Sequence, residues 1–303
     1  MSSIETASAP STVASASASV ELSTAAGTAS AASSAVSTAT GVARIARALE
    51  GGEALVPFVT CGDPDLETTE ELVVALAGAG AALVELGIPF SDPTAEGPEV
   101  QAANLRALAG GATVDKAFQL VKRVRERTDV PLAFVTYANV VFCHGVERFA
   151  RRMAEAGVDA LVLPDIPFEE KEEFAGPCRA AGVAFASMVA PTSGDRVQAI
   201  AQGADGLVCC ALSLGAVGAQ GDPAEAKDLV ERVRRANPDV PCLVDAGTAT
   251  PEDAAALAAV ADGIVVGGAI VRLAAEHGRA SAGPAAECLR TLKAAIAEAA
   301  GRA

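Results

Sequence analysis

Eight short apolar runs recur along most of this chain, each separated from the next by a longer amphipathic stretch. They are ALVPFVT (54–60), AALVELG (81–87), PLAFVTY (131–137), ALVLP (160–164), VAFASMV (183–189), GLVCCAL (206–212), PCLVDAG (241–247) and GIVVG (263–267). Polar residues rarely interrupt them, so they suit strands buried on both faces, as parallel strands covered by helices must be. Strand and helix alternating eight times predicts an α/β fold, a single (β/α)8 TIM barrel.

The intervening stretches carry helix start signals. Asp222-Pro223-Ala224-Glu225 offers an N-cap, a proline at the first helical position and an acid at the third, followed by Leu229, Val230 and Val233 on one face. Thr250-Pro251-Glu252-Asp253 repeats the device. An extra helix at about 41–50 is positioned to close the barrel bottom, and Gly176-Pro177 predicts a break in the fourth helical stretch, with Pro177 restarting the helix.

Residues 1–40 are almost entirely Ser, Ala and Thr, with no Lys or Arg before Arg44. Such a composition cannot bury enough apolar area to offset its ordering entropy, and it lacks the basic and apolar regions of a targeting signal. A disordered extension over 1–40 and a barrel domain over 41–303 are expected, and the latter has the size of a (β/α)8 unit.

A net charge of −15 with no basic cluster makes nucleic acid and anionic membrane surfaces poor partners, and no apolar stretch reaches the length of a span. The seven cysteines are scattered without a C-x-x-C spacing, which fits a reduced cytoplasmic protein. His144 and His277 have no partner at ligand spacing, so no metal site is expected.

In such a barrel, chemistry belongs to the loops after the strand C-termini. The densest is VELGIPFSDPTAEGPEVQ (84–101). Glu85 lies inside an apolar strand, where a carboxylate is either a buried ion-pair member or a catalytic group. Glu96 is a second acid on the same loop, and two acids in different environments can divide acid and base roles. Asp92-Pro93 reads as a turn former. The Gly-rich segments 215–221, 245–249 and 265–271 follow the last three strands. There they serve either as tight turns or as a phosphate cradle of backbone N–H groups.

Six segments carry a resemblance: VPFVTCGDPDLETT (56–69), the 84–101 loop, FVTYANVVFCHGVERF (134–149), LVLPDIPFEE (161–170), DAGTATPED (245–253) and DGIVVGGAIV (262–271). Together, from about Val42 to Ala300, they resemble the tryptophan synthase α subunit family, and ELGIPFSDP is the most specific block. The resemblance implies a lyase that splits indole-3-glycerol phosphate into indole and glyceraldehyde 3-phosphate. It assigns proton shuttling to Glu85 and acceptance of the indole N–H to Glu96. It assigns phosphate binding to Gly218, Gly247, Gly267 and Gly268, and indole contacts to Phe58, Val135, Cys209 and Ala246. Phe58 has ordinary barrel core as its alternative role, and Tyr137 and Asn139 are expected to be structural.

The implied partner is a tryptophan synthase β subunit in an α2β2 assembly. The α chain itself needs no cofactor, since pyridoxal phosphate belongs to the β partner. Four positions depart from the family pattern: Glu96 for Asp, Cys209 for Tyr, Ser213 for a basic residue and Gly268 for Ser. A free-standing lyase for specialised metabolism and a weakly catalytic allosteric subunit are the competing readings. Two retained acids favour catalysis, and the ELGIPFSDP block argues against another phosphate-binding barrel such as an isomerase.

Overall fold

All eight apolar runs form strands: β1 Ala54–Thr60, β2 Val84–Gly87, β3 Leu132–Val135, β4 Ala160–Val162, β5 Ala184–Val189, β6 Leu207–Ala211, β7 Cys242–Asp245 and β8 Gly263–Val266. The structure, a computed structural model, describes residues 40–204, 206–212, 221–245 and 250–301. Each strand pairs in parallel with the next, and β1 also pairs with β8, so the sheet closes into a barrel. The expected extension over 1–40 lies, except for Thr40, outside the described residues.

The helices, in chain order, are α1 Gly41–Leu49, α2 Leu66–Gly78, α3 Pro98–Ala109, α4 Val114–Arg125, α5 Ala138–His144 and α6 Val146–Ala156. They continue with α7 Glu172–Ala181, α8 Arg196–Gln202, α9 Pro223–Ala236, α10 Pro251–Ala258, α11 Gly268–His277 and α12 Ala282–Ala299. The simple alternation is thus elaborated after β2, β3 and β8, where two helices follow one strand.

Side chains alternate across the barrel wall, as the period of a strand requires. Outward Leu55, Leu86, Phe134 and Val244 pack with the helices in the larger core. Inward Ala54, Val56, Ala133, Ala160 and Leu243 fill the interior, which Ile45 and Leu49 of α1 join. α1 is therefore the bottom closure. Gly41 donates its N–H to the Gly182 carbonyl at 2.8 Å, and Arg44 Nε pairs with Asp159 at 2.7 Å. Any Cβ at Gly41 would lie 2.1 Å from the Asp159 carbonyl oxygen, so only glycine lets the helix approach this closely.

The start signals of α9 and α10 act as expected. Asp222 accepts from the Ala224 N–H at 2.9 Å, Thr250 Oγ1 from the Asp253 N–H at 3.2 Å, and α9 buries Leu229, Val230 and Val233. The expected break at Pro177 is corrected: α7 runs unbroken through it. Gly176 has no Cβ to clash with the proline ring, and the carbonyl that loses its donor belongs to Glu173 on the exposed face. Burial of Phe174 and Cys178 on the other face holds the helix together.

Candidate active site

Glu85 is the second residue of β2, between outward Val84 and Leu86, so its side chain enters the barrel interior, where the residue is 6% exposed. Its neighbours in register are Phe58 on β1 and Ala133 on β3. Two other buried acids show what a structural carboxylate looks like in this fold. Asp63 takes a bidentate bridge from Arg106 at 2.8 and 2.8 Å. Asp159, at the bottom, is paired with Arg44 at 2.7 Å and Arg125 at 2.8 Å and also accepts the Leu132 N–H. Glu85 has the opposite environment. Burial first, then the negative charges of Asp245 and Glu96, push it up to about 8. A carboxyl placed this way keeps its proton at neutral pH and can donate it. Of the two roles open for Glu85, the ion pair is the one this environment argues against.

The loop after β2 brings Glu96 to the same end. Asp92-Pro93 makes the expected turn, with the Thr94 N–H on the Asp92 carbonyl at 2.9 Å and the Glu96 N–H on that of Pro93 at 3.1 Å. Tyr137, just past β3, accepts the Ala95 N–H at 3.0 Å and stacks on Phe90 with ring centroids 5.1 Å apart. Asn104 of α3 accepts the Phe90 N–H at 3.0 Å. These contacts fix the backbone on both sides of Glu96, so Tyr137 has the structural role expected of it. Glu96 is half-buried, and burial followed by the charge of Asp245 pushes it up to about 7.

Phe58 is buried with its ring over Gly87, where any Cβ would lie 2.4 Å from the ring tip. Val135 and Cys209 are also on the inner wall, and burial raises the Cys209 thiol well above its usual range, with Glu85 and Asp245 adding to the effect. Gly267 and Gly268 are half-buried where β8 passes into α11, so the free N–H groups of that helix lie at the barrel's C-terminal end. Gly218, Ala246, Gly247 and Ser213 lie outside the described residues. Asn139 is exposed and accepts the Cys143 thiol at 3.6 Å.

Sequence reasoning missed Asp245, the last residue of β7, whose charge reaches both glutamates. The sequence carries only a partial signal for it: Asp245, like Glu85, is a lone acid within an apolar run, but it precedes Ala-Gly and so also reads as the start of a turn. Asp165 was missed too. Its carboxylate accepts the Ala138 N–H at 3.0 and 3.1 Å and so caps α5 from the loop after β4.

The family model for the tryptophan synthase alpha chain matches residues 45–300. The chain belongs to the tryptophan synthase alpha chain family. The tryptophan synthase alpha chain of Citrifermentans bemidjiense is 46% identical over 233 residues, which is 76% of this chain and 86% of that one. That of Lacticaseibacillus casei is 40% identical over 237 residues, 78% of this chain and 89% of its own. Among solved structures, the tryptophan synthase complex of Pyrococcus furiosus superposes with a TM-score of 0.74 at 31% identity, covering 80% of this chain and 98% of its own.

As a tryptophan synthase alpha chain the protein is a lyase that cleaves indole-3-glycerol phosphate. Both glutamates of the site hold protons into the neutral range, and the reaction needs proton transfer at carbon and at oxygen. No helix among the described residues is long and apolar enough to cross a membrane.

Proposed function

We propose that Glu85 shuttles the proton in this cleavage and that Glu96 accepts a hydrogen bond from the indole N1–H. Protonation of indole C3 by Glu85 converts the ring to an indoleninium, and Glu96 stabilises the charge that develops at N1. Glu85, now ionised, removes the proton from the glycerol hydroxyl on the carbon attached to C3. The C–C bond breaks, its electron pair restores the aromatic indole, and the carbon left behind becomes the aldehyde of glyceraldehyde 3-phosphate. Glu85 ends the cycle protonated as it began. The observation that carries this reading is a buried carboxyl surrounded by apolar wall and two further acids, with its proton retained to about 8.

The phosphate is held by backbone N–H groups at Gly218, Gly247, Gly267 and Gly268, and the indole by Phe58, Val135, Cys209 and Ala246. What supports this is the opening of α11 by Gly268 at the barrel's C-terminal end, since helix N-termini favour anions. A β subunit in an α2β2 assembly is the partner, and pyridoxal phosphate belongs to that partner. Support comes from a solved α2β2 complex of Pyrococcus furiosus, 31% identical with a TM-score of 0.72. The compartment is the cytoplasm, in keeping with seven cysteines none of which forms a disulfide. Indole release by the purified chain, measured with and without a β subunit, tests the assignment. We expect slow release alone and faster release in the complex. Full activity in Glu85→Gln removes Glu85 from the mechanism.

A further inference from the structure

Three acids converge at one end of the barrel, and the mechanism above uses only two. Asp245 ends β7, and the strand's alternation turns it inward: Leu243 belongs to the interior and Val244 to the outer core. Its flanking strand partners are Ala211 on β6 and Val265 on β8, neither of which ionises. The Leu212 N–H donates to its carbonyl at 2.9 Å, which fixes the backbone at the strand end. Asp245 is half-buried, whereas Glu85 is 6% exposed.

The other charged and titratable groups at this level can be named. Glu96 comes from the loop after β2, with Tyr137 beside it, Cys209 comes from β6, and Asp165 of the loop after β4 acts on Tyr137. The inward residues of β1, β3, β4, β5 and β8 are Phe58, Val135, Val162, Met188 and Val265, none of which ionises. No arginine or lysine contributes to the electrostatics of Glu85 or Glu96 among the described residues.

Carboxyls that share a site of low polarity cannot all ionise. The negative charge settles on the member that is most acidic in water, here the aspartate, which is also less buried than Glu85. We propose that Asp245 is a positioning residue for the lyase reaction: its carboxylate carries the site's negative charge and thereby holds the transferable proton on Glu85. The inference rests on the role of Glu85 given above. It adds that barrel closure, by bringing the end of β7 to face β2, sets the protonation state from which catalysis starts. Burial alone also favours a protonated Glu85, so the distinguishing consequence is electrostatic and separable.

The test compares wild type with Asp245→Asn, which keeps the shape and removes the charge. In wild type, kcat/KM falls on the alkaline side as Glu85 loses its proton. In Asp245→Asn this limb moves to lower pH, by on the order of one pH unit for the loss of a single nearby charge, and Asp245→Glu returns it towards the wild-type position. Infrared titration of the protonated carboxyl band, assigned to Glu85 by its loss in Glu85→Gln, reads the same shift without activity. An unmoved limb and an unmoved band in Asp245→Asn overturn the inference. A wild-type chain that releases no indole overturns the lyase role of Glu85 instead, and the infrared titration still decides the role of Asp245. Should Asp245→Asn fail to fold, Asp245→Ser removes the same charge with a smaller side chain.

Discussion

Burying Glu85 without a cation carries a stability cost with a definite sign. Its folded value lies near 8, above the ordinary carboxylate range, so the folded chain keeps a proton that the unfolded chain has already lost. Stability attributable to this group is fully present at low pH and declines as pH rises from the unfolded value through the folded one. Glu85→Gln removes the decline. Chemical denaturation should find the variant more stable than wild type at neutral pH, with a gain that grows between about pH 5 and pH 8 by at most ~1.4 kcal/mol per tenfold change in proton concentration. The same variant should lose indole release by at least ~10²-fold. Parallel stability curves for the two proteins would sink the account of Glu85 as an uncompensated buried acid. Glu96 makes a sharper kinetic test. Its loop is tied down on both sides, by Tyr137 at Ala95 and by Gln101 Nε2 on the Glu96 carbonyl at 2.9 Å. The backbone therefore cannot follow a shortened side chain, and a carboxyl displaced by ~1 Å can lose ~10²-fold in rate. Glu96→Asp should lower kcat more than it raises KM, and an equal or improved kcat would show that the pocket is not shaped around the longer acid.

At the scale of elements, the junction of β8 and α11 has room for a side chain where the proposed phosphate site requires none. A Cβ at Gly267 would sit 3.7 Å from the Phe58 Cβ, an ordinary contact, and its φ of −95° suits any residue. Gly267→Val should therefore fold with a thermal midpoint close to wild type while KM rises several-fold, because the methyls obstruct the anion rather than the chain. Unchanged KM moves the phosphate elsewhere. α7 shows where local reasoning was insufficient. Proline in a helix interior costs about 3 kcal/mol in isolation, yet the preceding glycine and the position of Glu173 on the exposed face lower that cost, and buried Phe174 and Cys178 offset it. The strands were easier to read, because a segment buried on both faces has nearly all its residues apolar. Their ends were harder: the 81–87 run pairs as a strand only from Val84, where register with β1 and β3 begins.

For the molecule as a whole, α1 closes the barrel bottom, and the Ser, Ala and Thr composition of residues 1–39 supplies few of the apolar side chains that a core needs. We expect a chain lacking residues 1–39 to keep its thermal midpoint and indole-release rate within error, and a large loss of either would mean that the segment packs on the barrel. The strand count, the helix caps, the bottom helix and the two glutamates were legible in the amino-acid order, because each depends on composition or spacing within about twenty residues. Asp245 was not, since an acid before Ala-Gly also reads as the start of a turn. Nor could the order of residues decide whether Glu85 has a cationic partner, as Asp63 and Asp159 do. That depends on which side chains meet across a closed sheet. β2 and β7 are far apart in the chain, and only pairing of β1 with β8 brings their inward faces together. The protonation of the site is thus a property of closure, because charges interact through space and desolvation acts only once the wall is complete.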